Sequence, residues 1–216
     1  MSKSLKLSVA MIVTVIVALT AAVVLSRPGD SAAPSSSGSG DGASAPLVRE
    51  DSPRLTSGED AVFVEFLDFE CEACGAAHPV IKDLREKYGD RVTFVVRHMP
   101  LHGNSMNAAL AAEAAAEQGE FEAMHDKLFQ TQTEWSHQEA SQMETFTGYA
   151  KELGLDMEQF RADLDDPALK ERIEQSKQDA MNLGVTGTPT FFLDGEKLEP
   201  TTVADLETAL DAAVDD

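Results

Sequence analysis

Cysteine is nearly missing from this chain: there are two in 216 residues, Cys71 and Cys74. So few thiols leave a structural zinc site without a ligand set, because such sites take four ligands rich in cysteine. Basic residues are scarce as well. Seventeen Lys and Arg face 38 Asp and Glu, for a formal charge of −21. That surface repels nucleic acid and anionic lipid, and no basic patch offsets it. Solubility or a salty habitat is the plain reason for the charge; attraction of basic substrates is the sharper one. Five histidines (His78, His98, His102, His125, His137) are scattered without ligand spacing. Neither a Ser/His/Asp arrangement, nor a glycine-rich phosphate loop, nor a repeat of fixed period is present.

One long apolar run is present. Leu7 to Leu25 are 19 uncharged, mostly apolar residues, enough for a helix to cross about 30 Å of hydrocarbon. With Lys3 and Lys6 on its short side, the charge bias predicts a membrane anchor over 7–26 and a cytoplasmic stub over 1–6. A cleaved signal peptide is the alternative, and either way the rest of the chain lies outside the cytoplasm, where disulfides persist. Residues 27–46 hold 17 Gly, Ser, Ala or Pro out of 20, too little apolar surface to order itself. Continued to residue 54, this segment predicts a flexible tether with a reach on the order of 30 Å.

The folded part is predicted over 55–214. Ala61 to Leu67 is a Val- and Phe-rich run, the pattern of a strand buried on both faces. Ala76 to Tyr88 carries helical spacing, closed by Gly89 and interrupted by Pro79, where a kink is expected. Arg91 to Arg97 is a second strand, so strand, helix and strand form a parallel crossover unit. From about 104 to 183 the spacing is helical throughout, with segments at 107–118, 121–129, 142–153, 157–164 and 167–183. Thr190 to Leu193 returns to a strand, Asp194-Gly195 is a hairpin turn before Glu196 to Leu198, and Val203 to Val214 is a last helix.

The two cysteines form Cys71-Glu72-Ala73-Cys74, just past the first strand. A disulfide closing so short a loop stabilises by only about 2 kcal/mol in the chain-entropy account. The spacing suits instead a dithiol that opens and closes. Cys71 is predicted at the helix N-terminus, where free N–H groups and the dipole favour a thiolate, with Cys74 one turn further in. Glu70 and Glu72 flank Cys71 and oppose ionisation by a comparable amount, about 0.7 kcal/mol for a carboxylate ~6 Å off in water. Glu65 is the single acid of the apolar run, placed to have a raised pKa and to exchange protons with Cys74. A strand-end ion pair is its other reading. Pro189, before a strand, reads by itself as a strand-opening residue.

Taken together, VEFLDFECEACGAAHP, RVTFVVRHMPLHGNS and GVTGTPTFFLDG resemble the DsbA-like thioredoxin-fold oxidoreductases, in particular the membrane-anchored BdbD-type forms. The resemblance implies an α/β thioredoxin fold with an inserted all-helical domain, preceded by the transmembrane helix and linker. It implies Cys71 as outer nucleophile and Cys74 as resolving thiol, with Glu65 as the buried acid, Pro189 as the cis-proline beside the dithiol, and Thr188 pairing with substrate backbone. It further implies no cofactor beyond the Cys71–Cys74 disulfide, exported proteins with free thiols as substrates, and recharging by a membrane quinone-linked thiol oxidase. Glu72 stands where many relatives carry proline, which predicts a weaker oxidant. A reductase or isomerase on the same fold, and a non-catalytic tethered chaperone or metallochaperone, remain as other readings.

Overall fold

The computed structural model describes residues 45–215. The candidate membrane span at 7–26 and residues 27–44 of the expected tether lie outside these; among the described residues no helix is long and apolar enough to cross a membrane.

Strand β1 (Ala61–Leu67) is almost wholly buried, as its unbroken Val and Phe content predicts. It pairs in parallel with β2 (Val92–His98), Ala61 opposite Val92 and Leu67 opposite His98, and α1 (Glu72–Tyr88) makes the crossover. Strand β3 (Thr190–Leu193) lies antiparallel on the other side of β1. β4 (Glu196–Leu198) turns back beside β3, giving the order β2-β1-β3-β4. The turn between them holds Asp194 at φ 48° and Gly195 at φ 90°, the left-handed pair that a tight two-residue hairpin needs. Cys71, in extended conformation, takes the cap position of α1, the helix N-terminus where it was expected, and α1 continues as one helix through Pro79.

Between β2 and β3 run six helices: α2 (Ser105–Ala116), α3 (Phe121–Gln130), α4 (Gln132–Trp135), α5 (Met143–Glu152), α6 (Met157–Leu164) and α7 (Pro167–Asn182). Their extent agrees with the expected insertion at 104–183. The single turn α4 was not foreseen, since four residues carry no period. α2 is the central helix of the insertion, packed against α3, α5, α6 and α7. Its alanines 108, 109, 111, 112, 114 and 115 are all buried, small side chains that let four neighbours approach at once. The core of this insertion includes Leu67, Phe69, Cys74 and Val96 from the sheet unit, so the dithiol lies where the two cores meet. On the other side of α1, Phe63, Phe94 and Phe191 pack with Leu206 and Leu210 of α8 (Val203–Asp215).

Residues 45–54, expected as the end of the tether, are instead bound to the fold. Val96 N–H donates to the Pro53 carbonyl at 2.9 Å, Leu55 N–H to the Phe94 carbonyl at 2.8 Å, and Arg54 bridges antiparallel to Val95. These contacts cover the free edge of β2, which would otherwise present unpaired backbone groups. Arg49 and the buried Arg97 share the Asp179 carboxylate, each at 2.6 Å, and Arg97 also donates to the carbonyls of Pro46 and Leu47. Leu47 and Val48 pack against the core cluster that holds Val64, Phe66 and Phe192. The polar run REDSPR hides this docking because its partners are 40 to 130 residues away.

Candidate active site

Cys71 caps α1 with φ −73° and ψ 121° and is partly exposed; Cys74, one turn inward, is completely buried, and both are free thiols. Their acidities are driven apart. The hydrogen bond from Cys74, helped by Thr188 and by the backbone N–H groups of Cys74 and Ala73 at the helix start, outweighs burial and lowers the Cys71 thiol to about 5. The same bond to Cys71, then burial, then the charge of Glu65 push the Cys74 thiol well above the ordinary range. The outer sulfur is thus available as a thiolate while the inner one holds its proton.

Glu65 sits inside β1, opposite Val96 of β2 and Phe191 of β3. Burial raises its carboxyl to about 8, with Arg85 pulling weakly the other way. The carboxyl is thus buried with its neutral form favoured, and no salt bridge to Glu65 is formed among the described residues. At the start of β3 the Thr188–Pro189 bond is cis. The Cys71 thiol donates to the Thr188 carbonyl at 3.3 Å, so the Thr-Pro turn and the CxxC turn face each other.

Comparison with known proteins identifies the fold that carries this arrangement. A family model described as thioredoxin matches residues 58–212. The chain belongs to the thioredoxin family.

This thioredoxin-family domain is 31% identical to a thioredoxin-like oxidoreductase from Silicibacter pomeroyi, with a TM-score of 0.66 over 78% of this chain and 95% of that one. Its fold is also that of BdbD from Bacillus subtilis (20% identity, TM-score 0.66, 77% and 94% covered) and of α-DsbA1 from Wolbachia pipientis (21%, 0.70, 78% and 94%). In sequence it is 43% identical over 155 residues to a Na+/H+ antiporter NhaA of Herminiimonas arsenicoxydans, covering 71% of this chain and 24% of that protein. The chain therefore spans about a quarter of the length of that curated relative.

Several residues that shape the site of this thioredoxin-family domain escaped sequence reading. Gln132, on the unforeseen α4, donates from Nε2 to the carbonyls of Phe69 and Cys71, both at 2.8 Å. It reaches them across Gly75, where a Cβ would lie 2.1 Å from the Gln132 Oε1; glycine is needed for that close approach. Asp68 accepts from Glu70 N–H with Oδ1, and from Leu101 N–H (2.8 Å) and His102 Nδ1 (2.6 Å) with Oδ2.

Glu70, expected to oppose the thiolate, is buried and has other work. Its carboxylate accepts from Asn104 N–H at 2.6 Å, Ser105 Oγ at 3.4 Å and His137 N–H at 2.8 Å. It ties the CxxC turn to the start of the helical insertion and to the segment after α4. Glu72 does point outward, its side chain 84% exposed, and its carboxylate lies 3.4 Å from His137 Nε2. The available signal was two acids set in an otherwise apolar Leu-Asp-Phe-Glu-Cys stretch.

The histidines are less scattered than their positions in the chain imply. His98 meets the fully buried Glu113 at 2.8 Å, with Arg172 on the other carboxylate oxygen at 2.7 Å. Atoms of His78, His125 and Asp126 come within 4.8 Å of one another, a convergence of two helices that chain spacing does not reveal. Lys82 at 2.7 Å and Arg85 at 3.5 Å already neutralise that carboxylate. A cation there would meet two positive charges.

Proposed function

We propose that this domain is a thiol–disulfide oxidoreductase that works outside the cytoplasm and donates a Cys71–Cys74 disulfide to exported proteins as they fold. The observation that carries the reading is the split acidity of two sulfurs on one helical turn, the partly exposed one lowered to about 5 and the buried one raised. A thiol pair whose reduced form is stabilised by an ionised outer sulfur is an oxidant. The expectation that Glu72 weakens this oxidant loses force, because its carboxylate is turned to solvent and to His137.

The chemistry runs as follows. A substrate thiolate attacks Sγ of Cys71; the Cys71–Cys74 bond breaks and a substrate–Cys71 disulfide forms. The electron pair goes to Cys74, which takes a proton, and the neutral Glu65 carboxyl is the buried donor that supplies it. A second substrate thiol, deprotonated by solvent, attacks the substrate sulfur and releases Cys71 as a thiolate. Two substrate thiols have become one disulfide, and the domain holds two reduced sulfurs. Thr188, beside Cys71, offers backbone to an extended substrate segment, and an apolar cleft lined by Val80, Ile81, Phe191, Val203 and Leu206 suits an unfolded chain. A membrane quinone-linked thiol oxidase returns the pair to its disulfide, and residues 7–26 anchor the chain as a single-pass membrane protein.

Mixing the oxidised domain with a reduced, unfolded two-thiol protein tests the assignment. Cys71→Ser should abolish disulfide transfer, and Cys74→Ser should accumulate covalent mixed disulfides. Transfer by Cys71→Ser would overturn the mechanism. A potential more reducing than that of glutathione would instead assign the domain as a reductase.

A further inference from the structure

We propose that His102 is a positioning residue for thiol–disulfide exchange: anchored by the buried Asp68 carboxylate, it holds a positive charge beside the Cys71 turn and stabilises the thiolate that leaves there. The inference deepens the oxidoreductase reading and rests on it for its biological meaning, but its test reads the sulfur directly.

The geometry is a closed circuit. Asp68 directly follows β1, and its backbone carbonyl accepts from the Cys71 N–H at 3.1 Å. Its Oδ1 accepts from Glu70 N–H, while Oδ2 holds both the Leu101 N–H and, at 2.6 Å, His102 Nδ1. One residue therefore fixes the peptide that carries the nucleophile and the imidazole from the β2–α2 loop. The His102 ring meets the His137 ring edge-on at 6.0 Å, and His137 is itself set by Glu70 and lies beside Glu72. Its side chain is 39% exposed against 0% for the Asp68 carboxylate, the pattern of an ionisable group whose counter-ion is locked and whose outer face stays wet.

The charged groups that act on His102 are Asp68 just past β1, Glu70 from the turn and Cys71 at the start of α1, and the His137 ring packs against it from the segment after α4. Burial alone pulls the imidazole pKa down, but Asp68, Cys71 and Glu70 together leave it raised. Coupling between two sites is reciprocal. If the Cys71 charge favours the imidazolium, the imidazolium favours the thiolate, and where Cys71 ionises, near 5, His102 is positively charged. This supplies a positive charge next to a nucleophile that the sequence surrounds with acids.

The test is the thiolate absorbance titration of the reduced domain, with the glutathione equilibrium as a second readout. In His102→Asn, which can still donate to Asp68, the Cys71 midpoint should rise by about 0.5–1 unit, an effect expected for loss of one nearby charge. The disulfide should become a correspondingly weaker oxidant, and His102→Lys should restore much of both values. An unchanged midpoint in His102→Asn, or equal displacement in the Asn and Lys variants, would overturn the proposal. Should His102→Asn fail to fold, NMR titration of the His102 ring decides: its pKa should be higher in the reduced protein than in Cys71→Ser, and equal values would reject the coupling. A shifted midpoint in a domain that oxidises no protein would sink the proposed function and leave this inference standing.

Discussion

The Cys71 thiol donates to the Thr188 carbonyl oxygen at 3.3 Å, across 117 positions of chain. Burial opposes ionisation of that sulfur, and the hydrogen bonds from Cys74, from Thr188 and from the backbone at the start of α1 overcome it. A group whose folded pKa is depressed adds stability that is complete above its unfolded pKa and lost as pH falls through the folded one. The reduced domain should therefore gain stability over Cys71→Ser as pH rises from about 5 towards about 9, and the gap should close below 5. Denaturant midpoints of the two proteins across that range check it.

Glu65 runs in the opposite direction. Its folded pKa of about 8 lies above the ordinary value of 4.5, so its neutral form stabilises the fold and the benefit is lost as pH rises from about 4.5 to 8. Glu65→Gln should match wild type near pH 4 and exceed it at pH 8 by roughly 1–3 kcal/mol. In stopped-flow reduction of the disulfide, the same variant should slow the step that protonates Cys74.

Gly75→Ala sets a methyl group against Gln132, whose two hydrogen bonds to the Phe69 and Cys71 carbonyls must then break. The cost should be about 1–3 kcal/mol. In a Gln132→Ala background the clash is gone and Gly75→Ala should cost much less. A double-mutant cycle measured by thermal or urea unfolding reads the difference; equal costs in both backgrounds would contradict the clamp.

Asp179 joins the segment 45–54 to β2 through Arg49 and Arg97. Asp179→Ala leaves the buried Arg97 guanidinium unpaired and should destabilise by about 3–5 kcal/mol. Limited proteolysis of that variant should cut before residue 55 sooner than in wild type. A domain started at residue 55 should likewise unfold at lower denaturant than one started at 45.

The core elements were legible because each depends on neighbours in the chain. β1 shows in an unbroken apolar run, the Asp194-Gly195 turn in its left-handed residues, and α7 in Pro167 behind the Asp166 cap, which accepts from Ala168 N–H at 2.8 Å. The segment 45–54 was misread as tether because its order comes from Asp179, Phe94 and Val96, and composition carries no trace of such partners. Glu70 was misread for the same reason. An acid beside a thiol counts as opposition until the donors of Asn104 and His137 are seen to satisfy it.

By itself the amino-acid order determined that two thiols stand one helical turn apart behind a buried strand, with an acid in that strand and a Thr-Pro late in the chain. Those are facts of periodicity and spacing, set by 3.6 residues per turn and two per pleat. Only the tertiary structure decided the unequal acidity of the sulfurs, the carbonyl that faces Cys71, the Gln132 clamp and the Asp68–His102 pair. Proton affinity and hydrogen bonding depend on distance and burial, and folding sets both between residues that the chain keeps tens of positions apart.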